Sequence, residues 1–183
     1  MIPLLLDPAS VAVGLVGRGD LALRRLDWLR AASADPMVWS DAPSRALKTA
    51  AGERLVLRLP KPAEIARLQA LWVADLPEEL AGPLAAEARD VRVLVNVEDV
   101  LPLCDFHTPA VVRRGRLTVA IGTGGASPAA AGVVRERIAA ALPEAWGEAL
   151  EEIAAARTAL KAEGADMAAL KADALARLAA RGL

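Results

Sequence analysis

Val11-Ala12-Val13-Gly14-Leu15-Val16-Gly17-Arg18-Gly19-Asp20-Leu21-Ala22 is the stretch on which the fold turns. Its first six residues form a short apolar run, too brief for a helix of useful length and suited to a strand buried on both faces. Beyond Gly19 the pattern changes. Over residues 20–32 the apolar positions Leu21, Leu23, Leu26, Trp28 and Leu29 interleave with Arg24, Arg25, Asp27 and Arg30, the pattern of an amphipathic helix. The sequence therefore opens as strand, turn and helix, with a G-x-G-x-x-A motif at the turn. In that context glycines let the backbone approach a pyrophosphate held at the helix N-terminus. On these residues alone, a tight strand-to-helix turn fits equally well.

Working outward, Pro36-Met37-Val38-Trp39-Ser40 reads as a second strand, residues 54–59 as a third, 70–74 as a fourth and 91–97 as a fifth. Helices are expected over 63–69 and 78–89. Strands alternating with helices on short connections predict a Rossmann-like α/β domain with a parallel sheet, over residues 1–100. Asp41 stands just past the second strand, about 20 residues beyond the glycine turn, where an acid accepts hydrogen bonds from an adenosine ribose and favours NAD over NADP. A solvated aspartate is the alternative.

After Asp99 the texture shifts. Two strands are expected to meet at a turn on Gly115, and Ser127-Pro128 to open a helix, with Ser as cap and Pro at the first position. From Glu144 onward the sequence is almost purely helical, with a break at Gly164. These features divide the remainder into a small α+β segment over 101–145 and a C-terminal helical segment over 146–183.

Composition narrows the function classes. The chain has 183 residues, 55% of them apolar, enough for a buried core. It lacks an apolar run near the roughly 20 residues that span a bilayer, and a basic segment before its first hydrophobic residues, so a cytoplasmic protein is expected. With 22 basic against 23 acidic residues, no overall field gathers nucleic acid or anionic lipid. One cysteine, Cys104, and one histidine, His107, cannot form a disulfide or a zinc site of Cys and His ligands. Cys104 is expected to be buried. His107 stays open as an ordinary residue or as a metal or proton-transfer candidate.

The most specific motifs lie later. Val95-Asn96-Val97-Glu98-Asp99, Leu103-Cys104-Asp105-Phe106, Pro109-Ala110-Val111-Val112, Arg114-Gly115 and Ala120-Ile121-Gly122-Thr123-Gly124-Gly125-Ala126-Ser127-Pro128 follow one another in order. This arrangement resembles the precorrin-2 dehydrogenase / sirohydrochlorin ferrochelatase domain of siroheme synthases, over about residues 2–146. The resemblance implies NAD-dependent oxidation of the tetrapyrrole precorrin-2 to sirohydrochlorin, insertion of Fe2+ in some members, and a homodimer whose middle segment dimerises. It also implies that Asp99 is the catalytic base and that Gly17, Arg18, Gly19, Asp20, Leu21, Asp41 and Ala42 touch NAD. Thr123, Gly124 and Gly125 would line the substrate site, with Asn96 as a further substrate contact. A carboxylate suits both reactions, because each requires a proton acceptor. Arg113, Arg114 and Arg116 are candidates for the substrate's carboxylates, which guanidinium binds bidentately; on an exposed strand they equally form a solvated face.

Two positions depart from the family pattern. Arg18 replaces the middle glycine of a GGG loop, to clash with a dinucleotide or to bind its phosphate. Val73-Ala74-Asp75-Leu76-Pro77 replaces AATDD, losing a threonine and one acid. These departures motivate an alternative, a tetrapyrrole-binding protein or chelatase that has lost NAD-dependent oxidation.

Overall fold

The computed structural model describes residues 1–183 and divides into two compact units, Met1–Thr108 and Pro109–Leu183. In the first, β1 (Val13–Gly17), β2 (Met37–Trp39), β3 (Leu55–Val56), β4 (Ala70–Ala74) and β5 (Leu94–Val97) form a fully parallel sheet in the order β3-β2-β1-β4-β5. Helices α1 (Asp20–Arg30), α2 (Arg45–Ala51), α3 (Pro62–Ile65) and α4 (Glu78–Asp90) connect them. This is the Rossmann-like α/β architecture expected.

Alternation along the strands explains why both faces are covered. On β1, Leu15 joins a core cluster with Ala22, Leu26 and Leu29 of α1 and Leu47 and Ala51 of α2. Its neighbour Val16 points the other way, into a cluster with Ile65 of α3 and Ala81, Leu84, Ala85 and Ala88 of α4. β4 divides likewise, Trp72 to the first cluster and Leu71 and Val73 to the second. Each fully buried Leu or Val contributes about 1.5–3 kcal/mol relative to an exposed one, so the sheet's centre anchors the unit.

Several elements are shorter than expected, and one was not expected at all. The third strand is reduced to Leu55–Val56, preceded by a 3-10 turn over Gly52–Arg54. The helix expected over 63–69 ends after Ile65. Helix α2 occupies a stretch with no strong periodicity; Ser44 caps it by accepting a hydrogen bond from the Leu47 N–H at 3.1 Å, and only Leu47 and Ala51 are buried.

The first unit runs to Thr108 rather than ending near residue 100, because residues 104–108 fold back onto β5. Asp105 exchanges bonds with Val95, its N–H donating to the Val95 carbonyl at 2.7 Å and its carboxylate accepting from the Val95 N–H at 3.0 Å. Asn96 Nδ2 donates to the Phe106 carbonyl at 2.9 Å, and Phe106 meets Trp72 edge-on at 4.9 Å between ring centroids.

The second unit begins with an antiparallel hairpin, β6 (Ala110–Arg114) and β7 (Leu117–Ile121), and continues as α5 (Pro128–Ala141), α6 (Trp146–Ala162) and α7 (Met167–Ala180). Gly115 turns the hairpin at φ +54°, where a Cβ would lie 3.0 Å from Gly147 Cα on α6. Ser127 caps α5 as expected, accepting from the Ala130 N–H at 3.1 Å, with Pro128 at the first position. No helix is long and apolar enough to cross a membrane.

Candidate active site

All five strands of the first unit run parallel, so their carboxyl ends share one edge, the usual ligand edge of such sheets. Gly17 ends β1 there, and Asp41, Asp75 and Asp99 follow β2, β4 and β5. Gly17 leaves no room for a side chain: an added Cβ would lie 2.5 Å from Ala22 Cβ and 2.5 Å from the Ala74 carbonyl oxygen. This close approach seats α1 against β4 and presents the first N–H groups of α1 at the edge.

Arg18 does not cross the loop. Its Nε and Nη2 donate to Asp41 Oδ1 at 2.7 Å and Oδ2 at 2.6 Å, while the Arg18 carbonyl accepts from the Ser44 N–H at 2.6 Å. The guanidinium holds the Asp41 carboxyl below the usual carboxylate range. A carboxylate has about four acceptor sites, of which Arg18 takes two, so Asp41 retains capacity for ribose hydroxyls. Ala42, beside it, is exposed. Of the loop and its acid, then, Gly17, Arg18, Gly19 and Asp41 are brought together. The Gly17 cradle and the acid at the end of β2 fit a dinucleotide.

Asp75 is the part of this edge that sequence reasoning missed as a contact. Its Oδ2 accepts from the Gly19 N–H at 3.1 Å and the Ala22 N–H at 2.9 Å. Gly19, the N-cap of α1, has no side chain to do so. The sequence marks Asp75 only as the acid left in a segment that departs from the family pattern; its partners lie 56 and 53 residues away.

Asp99 closes the edge at the other side. It is exposed and sits at φ +64°, just past β5. Leu21, Arg24, Arg25, Trp28, Glu98 and Asp99 line a cavity of about 270 Å³. The start of α1 and the expected base therefore face one space. Arg25 forks onto Glu98, with Nη2 to Oε1 at 2.7 Å and Nε to Oε2 at 3.2 Å, and lies 5.4 Å from the centroid of the Trp28 ring. The Arg25–Glu98 pair lines the same cavity as Asp99; across 73 residues no local pattern announces it. A larger depression of about 580 Å³, lined by Leu23, Arg45, Ala46, Thr49 and Ala50, has no acid or base suited to proton transfer.

The other expected contacts have internal partners. Asn96 is buried and ties down Phe106, with Cys104 Sγ at 3.4 Å. Cys104 is half-buried rather than buried, donating to the Val97 carbonyl at 3.1 Å, and burial pushes its thiol above the ordinary range. In the second unit Arg114 binds the Leu142 and Ala139 carbonyls at 3.1 and 2.8 Å, capping the end of α5. Arg113 Nη1 donates to Thr118 at 3.2 Å, and Arg116 pairs with Glu151 at 2.9 Å. Thr123 Oγ1 donates to the Ser127 carbonyl at 3.1 Å and accepts from its N–H at 3.2 Å. Gly124 and Gly125, at φ +66° and +83°, complete that turn and are exposed. His107 belongs to no cluster of three or more metal-ligating side chains.

The family model described as "Putative NAD(P)-binding" matches residues 4–110, and that described as "Sirohaem biosynthesis protein central" matches residues 114–141. Among curated relatives, the siroheme synthase of Thioalkalivibrio sulfidiphilus is 34% identical over 151 residues, covering 81% of this chain and 31% of its own length. Siroheme synthase 1 of Cronobacter sakazakii is 33% identical over 153 residues, covering 82% of this chain and 32% of its own. This chain thus spans about a third of the length of these relatives. A solved structure of SirC, a precorrin-2 dehydrogenase, shares the fold with a TM-score of 0.70 at 21% identity, over 96% of this chain and 88% of that one. With the larger match spanning more than half its length, the chain belongs to the NAD(P)-binding family that forms the N-terminal part of siroheme synthases.

Proposed function

We propose that this chain oxidises precorrin-2 to sirohydrochlorin with NAD as hydride acceptor. The observation that carries this reading is the single cavity shared by Leu21, at the start of α1, and Asp99, at the end of β5. One wall of that space is α1, which opens from the dinucleotide loop, and the other carries the Glu98 and Asp99 carboxylates. The bound nicotinamide supplies the hydride acceptor. Gly17 keeps α1 close to the sheet edge, so that its first N–H groups meet the pyrophosphate, and Asp41 accepts from the adenosine ribose, with Ala42 beside it. Asp20 and Leu21 border the remainder of the nucleotide.

Asp99 takes the proton. Oxidation removes a hydride and a proton from the macrocycle, so precorrin-2 and NAD+ become sirohydrochlorin, NADH and H+, the proton passing to the Asp99 carboxylate. The pair Arg25 and Glu98 positions the turn that carries Asp99. Arg24, exposed on the same wall, is a cation for the substrate's carboxylates. Iron insertion is a second use of the same carboxylate: Fe2+ enters as substrate while two pyrrole N–H protons leave, Asp99, exposed, accepting them one at a time and passing each to solvent.

The chain acts as a cytoplasmic homodimer in this reading, and the apolar side chains Val133 and Val134 on α5, 50% and 40% exposed, support a partner on the second unit. The test is Asp99→Ala. Calorimetric NAD binding should match that of the original chain while precorrin-2 oxidation falls at least about 100-fold, in the range typical of losing a general base. Full oxidation by Asp99→Ala would remove Asp99 from the chemistry.

A further inference from the structure

The anion seat at the glycine loop already holds an anion. One oxygen of the Asp75 carboxylate lies 3.1 Å from the Gly19 N–H and 2.9 Å from the Ala22 N–H, at the N-cap and third positions of α1. Because residue 19 is glycine, that oxygen comes within 3.0 Å of where a Cβ would stand. Asp75 itself takes φ +54°, a left-handed conformation that aspartate and asparagine tolerate better than most residues. Chain conformation and side-chain position together aim a negative charge at the first turn of α1, where the helix end favours one.

A dinucleotide pyrophosphate uses the same first-turn N–H groups, and it is also an anion. The two cannot share them: their charges repel, and each N–H has one hydrogen to donate. We propose that Asp75 is an internal competitor for the pyrophosphate seat, an affinity-determining residue that caps α1 in the free protein and must swing away when dinucleotide enters. This rests on the dinucleotide reading above and adds to it a residue that works against binding. The free protein holds its loop in a self-satisfied state, and affinity for NAD is lower by whatever that carboxylate contributes in place.

The test is calorimetric titration of the full chain with NAD, for the original sequence, Asp75→Asn and Asp75→Gly. Both substitutions accept a left-handed φ; the first removes the charge at nearly constant shape, and the second empties the seat. Each variant should bind NAD about tenfold or more tightly than the original chain, since a charge-assisted pair of contacts no longer has to be broken. Inorganic pyrophosphate should compete with NAD more effectively in both variants. A merely structural cap predicts the opposite, because losing it frays α1 and weakens binding, and circular dichroism of each variant shows whether the fold is kept. NAD binding by the original chain with no gain in a folded Asp75→Asn overturns the competitor role and leaves the cofactor reading intact. Absence of NAD binding in all three overturns the cofactor reading and the competitor role together.

Discussion

Replacing Gly17 by alanine tests how the loop is built. The added Cβ would lie 2.5 Å from the Ala74 carbonyl oxygen and 2.5 Å from Ala22 Cβ, one on a central strand and the other on the first turn of α1. Ordinary carbon contacts are about 3.5–4.0 Å, so α1 must withdraw from β4 by about 1 Å. Overpacking of this kind costs about 1–3 kcal/mol, and with backbone on one side the upper end applies. At roughly 2–4 °C per kcal/mol for a chain of this size, Gly17→Ala should melt about 6–12 °C lower by far-UV circular dichroism. The same withdrawal moves the Gly19 and Ala22 N–H groups, so NAD affinity should fall about tenfold or more. Gly14→Ala is the control: its Cβ would meet the ends of the Leu68 and Trp39 side chains at 2.7 and 2.8 Å, inside the core and away from the loop. It should lose stability without losing NAD affinity. A Gly17→Ala protein that melts within roughly 2 °C of the original chain and binds NAD equally would refute the close-approach argument.

Three other outcomes follow from side chains on the page. Arg25→Ala leaves Glu98 half-buried without its fork, so the chain should lose about 1–3 kcal/mol in urea denaturation, less than the figure for fully buried pairs; precorrin-2 oxidation should slow while NAD affinity holds. The Glu64 carboxyl is lowered to about 2, chiefly by the Arg58 guanidinium, and Asp41 is lowered by Arg18. Depressed carboxyl pKa values stabilise the fold above the unfolded value of about 4 and lose that contribution as pH falls toward 2. The denaturation midpoint should therefore drop across that window, and Glu64→Gln should flatten part of the drop. Cys104, with its thiol pushed up by burial, should react with iodoacetamide at neutral pH more slowly than a free thiol and reach the free-thiol rate on unfolding.

How far the molecule could be read from its sequence depends on the range of each interaction. β1, the glycine loop and α1 were legible because a both-faces-buried strand, a turn and an amphipathic helix leave separate local patterns over adjacent residues. The Gly115 turn and the Ser127 cap were legible for the same reason. Helix α2 was not, since seven residues with two buried positions carry little periodicity. The third strand was overread: Leu57 and Leu59 continue an apolar run but lie beyond the two paired residues, and Leu57 is 62% exposed. At the site, the resemblance gave Asp99 and the loop, whereas the side-chain pairs beside them join residues 53 to 73 apart: Asp75 with Gly19 and Ala22, and Glu98 with Arg25. Asn96, Arg114 and Thr123 show the converse limit. A motif marks which residues recur in a family, and here their side chains bond within their own unit.

The central claim, hydride removal from precorrin-2 by this chain, is tested most directly by incubating the purified protein anaerobically with precorrin-2 and NAD and following NADH and sirohydrochlorin together. The account predicts that both appear in equal amounts and at equal rates, and that neither appears without NAD. Sirohydrochlorin formed without matching NADH, or neither product from folded protein that binds NAD, would contradict it.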